Sequence, residues 1–252
     1  MELKDSVIAI TGAGQGLGQA MALTLAECGA NLALLDLNQD GLESTKRKCS
    51  ELVVRVCTYV LDVTQESQVE QTFQSIKNDF NRLDGLVNSA GVLRDGMLVK
   101  EKDGVLSKMS LEQFNMVMNV NVTGTFLCAR EATTTMIQTD SKGVIINISS
   151  VARSGNIGQT NYAASKAAVA TMATCWGKEL ARYGIRAAAI APGVVQTAMA
   201  DQLKPEAIAR LEKMIPVGRI AQASEMAHAA KYIFENDYFT GRVLEVDGGM
   251  RM

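Results

Sequence analysis

Apolar residues along this chain come in short bursts separated by longer amphipathic stretches. Seven bursts stand out, at 7–11, 31–36, 54–61, 84–88, 143–149, 185–191 and 242–246. Runs such as Val7-Ile-Ala-Ile-Thr11 do not alternate with polar residues, which is the pattern of a strand covered on both faces. The stretches between them carry helix-forming residues, as in Gln19 to Cys28 and 162–183. Strand and helix repeated in this way predict an α/β fold: a Rossmann-like, doubly wound parallel sheet of seven strands with helices on both faces.

Ligands of such sheets bind beyond the carboxyl ends of the strands, and the polar residues of this chain gather at those positions. The first run leads straight into Gly12-Ala-Gly-Gln-Gly16-Leu-Gly18 and then a helix. Glycines there let the backbone turn tightly and approach a pyrophosphate, whose charge is stabilised by free N–H groups at the helix N-terminus. The spacing is Gly-x-x-x-Gly-x-Gly, so the match is to that mechanism and not to the more familiar Gly-x-Gly-x-x-Gly string. Asp36 closes the second run, twenty residues beyond Gly16, where a carboxylate can accept hydrogen bonds from an adenosine ribose. A 2′-phosphate would meet like charge there, and Gln15 leaves the loop without an arginine to offset it. NAD(H) is therefore favoured over NADP(H). Asp36 also has the chemistry to start a turn or cap the next helix, and both roles can coexist.

Tyr162 and Lys166 lie four residues apart in a helix-forming stretch, which puts both on one face. A neighbouring ammonium favours the phenolate and pulls a phenol pKa of about 10 toward the range of a working proton donor and acceptor. Asp62, Asn88-Ser-Ala-Gly91, Ser149-Ser150 and Pro192-Gly193 follow the third to sixth runs, so the topology should bring them together.

Composition narrows the function classes. The chain has 252 residues, 47% of them hydrophobic, enough for one sizeable core. With no linker in the pattern, a single domain over 1–252 is expected. The net charge of −2 is dispersed, which gives no basic face for nucleic acid and no polybasic run for a membrane. No apolar run reaches the length of a membrane span and the start lacks a signal-peptide core, so a cytoplasmic location is expected. Five cysteines without Cys-x-x-Cys spacing read as buried reduced thiols, and a single histidine, His228, argues against a metal centre. A Gly-x-Ser-x-Gly elbow is absent.

Taken together, these motifs resemble the short-chain dehydrogenase/reductase family over essentially the whole chain. Thr11-Gly-x-x-x-Gly-x-Gly18 resembles its cofactor loop, Asp62-Val63 its adenine-edge contact, and Asn88-Ser-Ala-Gly91 its Asn-Asn-Ala-Gly segment with one substitution. Gly241-Arg-Val-Leu-Glu-Val-Asp-Gly-Gly249-Met is similar to the ending of the 3-oxoacyl-[acyl-carrier-protein] reductase branch. The resemblance implies a catalytic set of Asn121, Ser150, Tyr162 and Lys166. It implies a cofactor set of Gly12, Gln15, Gly16, Leu17, Gly18, Asp36, Leu37, Asp62, Val63, Asn88, Ala90, Gly91, Tyr162, Lys166, Pro192, Gly193, Val195 and Thr197. Tyr162 would exchange the proton, Ser150 would hold the reacting oxygen, Lys166 would hold the nicotinamide ribose, and Asn121 would hold a water linking Lys166 to solvent. Ser150 is preferred to Ser149 because alternation points adjacent residues to opposite sides.

The expected reaction is interconversion of a ketone and a secondary alcohol. A 3-oxoacyl thioester is the leading substrate, with an acyl carrier protein as partner. An NAD-dependent dehydrogenase of a small alcohol or hydroxyacyl compound is the alternative, and a catalytically silent dinucleotide sensor the reading from a different class. Arg182 is adjacent in sequence to where some members of the branch place an arginine for the carrier. Residues 92–109 form a longer connection than usual and are expected to be a surface excursion. Residues 196–215, with Met199, Leu203, Ile208, Leu211 and Met214, are expected to be a substrate lid. Small residues on more than one face of 162–183 suggest close helix packing between copies, and the resemblance implies a homotetramer.

Overall fold

The apolar runs become the strands of one twisted parallel sheet. In the computed structural model, which describes residues 1–52, 54–196 and 205–250, the strands are β1 (Val7–Thr11), β2 (Asn31–Asp36), β3 (Val56–Val60), β4 (Gly85–Asn88), β5 (Val99–Lys102), β6 (Val105–Lys108), β7 (Val144–Ile148), β8 (Arg186–Pro192) and β9 (Val243–Val246). The helices are α1 (Gly16–Glu27), α2 (Gln39–Cys49), α3 (Glu66–Phe80), α4 (Leu111–Met118), α5 (Thr125–Gln138), α6 (Thr160–Glu179), α7 (Pro205–Met214) and α8 (Ala223–Glu235). The large sheet has the order β3-β2-β1-β4-β7-β8-β9, all parallel. The chain builds outward from β1 through β2 and β3, then returns to the other side of β1 at β4. The crevice between the ends of β1 and β4 is the switch point of the sheet.

The unbroken apolar runs are explained by two cores. On β1, Ile8 and Ile10 join one core while Val7 and Ala9 join the other, and β2 repeats this with Leu32 and Leu34 against Ala33 and Leu35. Residues of α1 and α8 complete the first core, and residues of α3 and α5 complete the second. Alternation is therefore present in direction but not in polarity, because neither face meets water.

Beyond the sheet, β1 and β4 are locked together. The buried Thr11 hydroxyl accepts hydrogen bonds from the backbone N–H groups of Ser89 and Ala90, both at 3.1 Å. Gly12, at φ 68°, lies so near that a Cβ there would be 2.9 Å from the Ala90 Cα. A side chain at position 12 would push the two loops apart.

The excursion over 92–109 contains a hairpin of β5 and β6, turned by Asp103 and Gly104 at φ 52° and 76°. Two consecutive left-handed residues give the turn whose twist matches that of paired strands. The hairpin projects into solvent, but its root is bolted to the start of α6. Gly96 N–H donates to the Gly158 carbonyl at 2.8 Å, and the Asn161 amide donates to the Arg94 carbonyl at 2.9 Å. The Gln113 amide donates to the carbonyls of Arg94 and Asp95.

The helix expected over 162–183 starts at Thr160 and stops at Glu179. A 3-10 turn, Ala181–Tyr183, follows and closes on Gly184 at φ 71°. Of the expected lid, Met199 and Leu203 lie outside the described residues, while α7 spans the rest. Its Ile208 packs against the cluster of Ile215, Ile220 and Met250, whereas Met214 is exposed. Among the described residues no helix is long and apolar enough to cross a membrane.

Replacing Thr11 by Val keeps the shape but leaves two N–H donors without their acceptor, a cost of about 1–3 kcal/mol. Thermal unfolding followed by circular dichroism should show the Tm several degrees lower in T11V. An unchanged Tm would mean that the hydroxyl does not hold the two loops.

Candidate active site

The carboxyl ends of β1 to β4 open into one cavity of about 680 Å³, within the size range of cofactor sites. Its wall is built in chain order by the loops that follow the strands. Gly12, Gln15, Gly16, Leu17 and Gly18 come from the first loop, Asp36 and Leu37 from the second, Asp62 and Val63 from the third, and Ala90 and Gly91 from the fourth. Tyr162, on the first turn of α6, closes one end.

The first loop is shaped for an anion. A Cβ on Gly18 would sit 2.2 Å from the Gly12 carbonyl oxygen, so α1 can pack onto the turn only through glycine. Gly16, at φ 57°, has nothing within 4 Å of where a Cβ would be, and so leaves the wall open. The Gln15 side chain makes no capping hydrogen bond and the first turn of α1 holds no acid. The free N–H groups and the positive end of the helix thus face the cavity. Behind the loop, the Thr45 hydroxyl donates to the Ala13 carbonyl at 2.8 Å and accepts from Gln19 at 2.8 Å.

Asp36 serves its loop and the cavity together. Its two carboxylate oxygens accept from the N–H groups of Gly14 and Asn38, both at 2.9 Å. A Cβ on Gly14 would lie 2.9 Å from the nearer oxygen. The turn role and the cavity-facing role coexist. Asp62 is held similarly, accepting from both the N–H and the hydroxyl of Thr64.

At the other end the side chains of Ser150, Lys166 and Asn121 converge around Tyr162. The Ser150 hydroxyl lies near enough to the Tyr162 phenol to favour its ionised form, and accepts from the Ala152 N–H at 3.1 Å. Ser149 is turned away and buried, donating to the Lys166 carbonyl at 2.7 Å. The Lys166 ammonium lies 5.5 Å from the centre of the Tyr162 ring and donates to the Ile148 carbonyl at 2.8 Å. Asn121 stands in a π-helical segment, Asn119–Gly124, between α4 and α5, a geometry often found at functional sites. Its carboxamide accepts from Val92 N–H at 2.8 Å and donates to the Val92 carbonyl at 3.1 Å and to Ser165 at 3.0 Å. Asn121 and Lys166 meet behind Gly91, whose missing Cβ would lie 3.3 Å from the Asn121 oxygen and 3.5 Å from the Lys166 nitrogen. Lys166 itself does not line the cavity: Gly91 does, and without a side chain it leaves the buried amine just behind the wall.

Several expected residues are placed elsewhere. The Asn88 side chain is not in the cavity wall. It donates to Asn147, which donates to the Val169 carbonyl, and this chain ties β4 through β7 to α6. Pro192, Gly193 and Val195 do not line the cavity. Gly193 is packed against Asp247, and Val195 bridges to Ala221. Thr197 lies outside the described residues. Leu35, Leu61, Ser89, Val92 and Val120 line the cavity without having been expected. Each is a chain neighbour of an expected residue, so strand-end position was the signal for them.

The electrostatics correct one sequence expectation. Tyr162 is not pulled down by its lysine: its pKa lies above the usual phenol value because burial outweighs Ser150, which acts in the opposite direction, with the Asp95 carboxylate adding a smaller upward push. Burial also lowers Lys166 to about 8. A pKa of about 8 leaves the amine mostly protonated at neutral pH, yet burial is the largest influence on the phenol, so desolvation wins.

The site accommodates a nicotinamide dinucleotide: an anion cradle at the first loop, an acceptor at Asp36, and a phenol, hydroxyl and amine gathered at the opposite end. This is a dinucleotide-dependent oxidoreductase fold. Comparison with known proteins agrees. A family model described as enoyl-(acyl carrier protein) reductase matches residues 12–251. The chain is 38% identical to the 3-oxoacyl-[acyl-carrier-protein] reductase FabG of Thermotoga maritima over 253 residues, 99% of each chain. It is 37% identical to the human 3-oxoacyl-[acyl-carrier-protein] reductase over 249 residues, covering 98% of this chain and 99% of the relative. It is also 38% identical to the 3-hydroxyacyl-CoA dehydrogenase type-2 of Drosophila melanogaster over 258 residues, 99% of each. The chain belongs to the short-chain dehydrogenase/reductase family, and is an oxidoreductase of CH–OH groups.

Lys166 offers a test with a definite sign. Its folded pKa is below the unfolded value, so between about 8 and 10.5 the unfolded chain binds more protons and stability rises with pH. Below that window the cost of the buried charge is constant. Wild type should therefore gain stability relative to K166M as pH is raised through this window, measured by denaturant unfolding without cofactor. A difference that stays flat would show the amine to be unshifted.

Proposed function

We propose that this protein interconverts 3-oxoacyl and 3-hydroxyacyl thioesters with NAD(H). The observation that carries this reading is the convergence of Ser150, Lys166 and Asn121 on Tyr162 at one end of a cavity that has Asp36 at the other. A bound nicotinamide dinucleotide supplies or accepts the hydride. Tyr162 gives its proton to the carbonyl oxygen in reduction and takes the alcohol proton in oxidation. Ser150 donates a hydrogen bond to the same oxygen and stabilises the charge that develops there. Lys166 uses one donor on the Ile148 carbonyl, which leaves others for the nicotinamide ribose. Asn121 holds the Val92 backbone and Ser165 in place, a positioning role in which its side chain acts on the protein itself. The positive charge of an oxidised nicotinamide held beside Tyr162 would lower the phenol's pKa, which Lys166 alone does not do.

Asp36 supports NAD(H) over NADP(H), since its carboxylate lines the cavity where a 2′-phosphate would meet like charge. The relatives' names agree on carbon 3 of an acyl thioester but differ in direction and carrier. NAD(H) use supports the oxidative, hydroxyacyl direction as the second reading. An acyl carrier protein is a candidate partner, but Arg182 does not serve it near the cavity. Arg182 stacks on Tyr183 beyond the C-terminal end of α6, about 30 Å from Tyr162 along the helix. The small residues of α6 support a homotetramer, read out by light scattering.

Purified protein mixed with acetoacetyl thioesters and simple ketones, and either NADH or NADPH, should consume NADH fastest with the thioesters. Tight NADH binding without turnover of any carbonyl would favour a sensor instead. In Y162F, kcat should fall by about 10²- to 10⁴-fold while NADH affinity stays nearly unchanged. In D36N, the ratio of kcat/KM for NADPH to that for NADH should rise by about tenfold; an unmoved ratio would remove Asp36 from coenzyme choice.

A further inference from the structure

Beside Tyr162 stands a carboxylate that the reaction does not use. Asp95 belongs to the root of the hairpin, and the Gln159 amide grips both its oxygens, at 3.2 and 3.1 Å. Gln159 is the residue just before α6, and Tyr162 is three residues further on. The neighbouring backbone is fixed as well, by Gly96 on Gly158 and by Asn161 on Arg94. The carboxylate is thus held by Gln159 at the join between the hairpin and α6. Its charge is felt at the phenol, where it opposes ionisation. The adjacent Arg94 guanidinium does not neutralise it, but folds onto the Leu93 carbonyl. Asp95 itself is exposed.

We propose that Asp95 is a specificity-determining residue, whose fixed negative charge at the mouth of the Tyr162 site selects esterified 3-oxoacyl groups over free 3-oxo acids. The inference rests on the 3-oxoacyl reading above. When the ketone oxygen lies at Tyr162, the carboxyl carbon is two carbon–carbon bonds from the reacting carbon. In a free acid that carbon bears a full negative charge and meets Asp95 as a like charge. In an ester or thioester it is neutral and meets no such penalty. Because Asp95 is exposed, the discrimination is modest and weakens with salt. It acts on substrate choice and takes no part in proton or hydride transfer.

The test compares kcat/KM for acetoacetate and for ethyl acetoacetate, with NADH, in wild type, D95N and D95E. Asparagine keeps an acceptor for Gln159 but removes the charge, whereas glutamate keeps the charge. The ratio of acetoacetate to ethyl acetoacetate should rise about fivefold in D95N, stay near wild type in D95E, and rise in wild type with added salt. The ethyl acetoacetate rate reports separately that the site is intact. An unchanged ratio in D95N with that rate preserved would overturn the proposal, and so would an equal rise in D95E. Failure of wild type to reduce either ketone, or any acetoacetyl thioester, would instead bring down the underlying 3-oxoacyl reading.

Discussion

The structure depends on how closely the chain can pass itself at the switch point of the sheet. Two loops leave adjacent parallel strands there and must nearly touch before they separate to form a crevice. Thr11 provides the attraction and Gly12 the clearance. Gly18 performs the same service between the first loop and its helix. These contacts involve backbone atoms, so they set the spacing of every cavity-lining segment that follows. The cradle at one end and the phenol at the other are held in register by a sheet with both faces buried, not by contacts with each other.

Against that rigid frame, the catalytic end is electrostatically unfavourable. A lysine and a tyrosine share a desolvated corner, and burial moves both toward their neutral forms. Such a corner costs folding stability and is tolerated where charge is to arrive from outside. Asn121, Ser149 and Ser165 spend their hydrogen bonds on holding neighbouring backbone and side chains. Ser150 and Tyr162 are left as the pair to which the proposed reaction assigns the reacting oxygen.

Much of this was legible in the chain. All seven runs became strands with ends moved by at most two residues, because a strand buried on both faces has no polar position to blur its pattern. The glycine loop, Asp36 and Asp62 line the cavity because strand ends in such sheets converge. Asn88 and the 192–195 segment were carried over by motif alone. A motif does not say whether a side chain or a backbone faces the ligand, and the structure turns the Asn88 amide toward Asn147. The ionisation of Tyr162 departs from what helical spacing predicts for a related reason. Spacing along a helix gives proximity, whereas a pKa also depends on how much water has been removed, which only packing decides. The hairpin escaped notice because four-residue strands carrying lysines and a glutamate leave no apolar signature.

That hairpin is joined to the remainder of the protein through its base, while every residue of its two strands is solvent-exposed. Its tip, at Asp103 and Gly104, makes only local bonds, such as that from Gly104 N–H to Glu101. Chain inserted there would lengthen an arm already outside both cores, whereas the same insertion at Asp95 would detach it from the catalytic helix. The tip is thus a natural place to graft a fluorophore, an affinity peptide or a tether to a surface, beside the reaction centre yet mechanically apart from it.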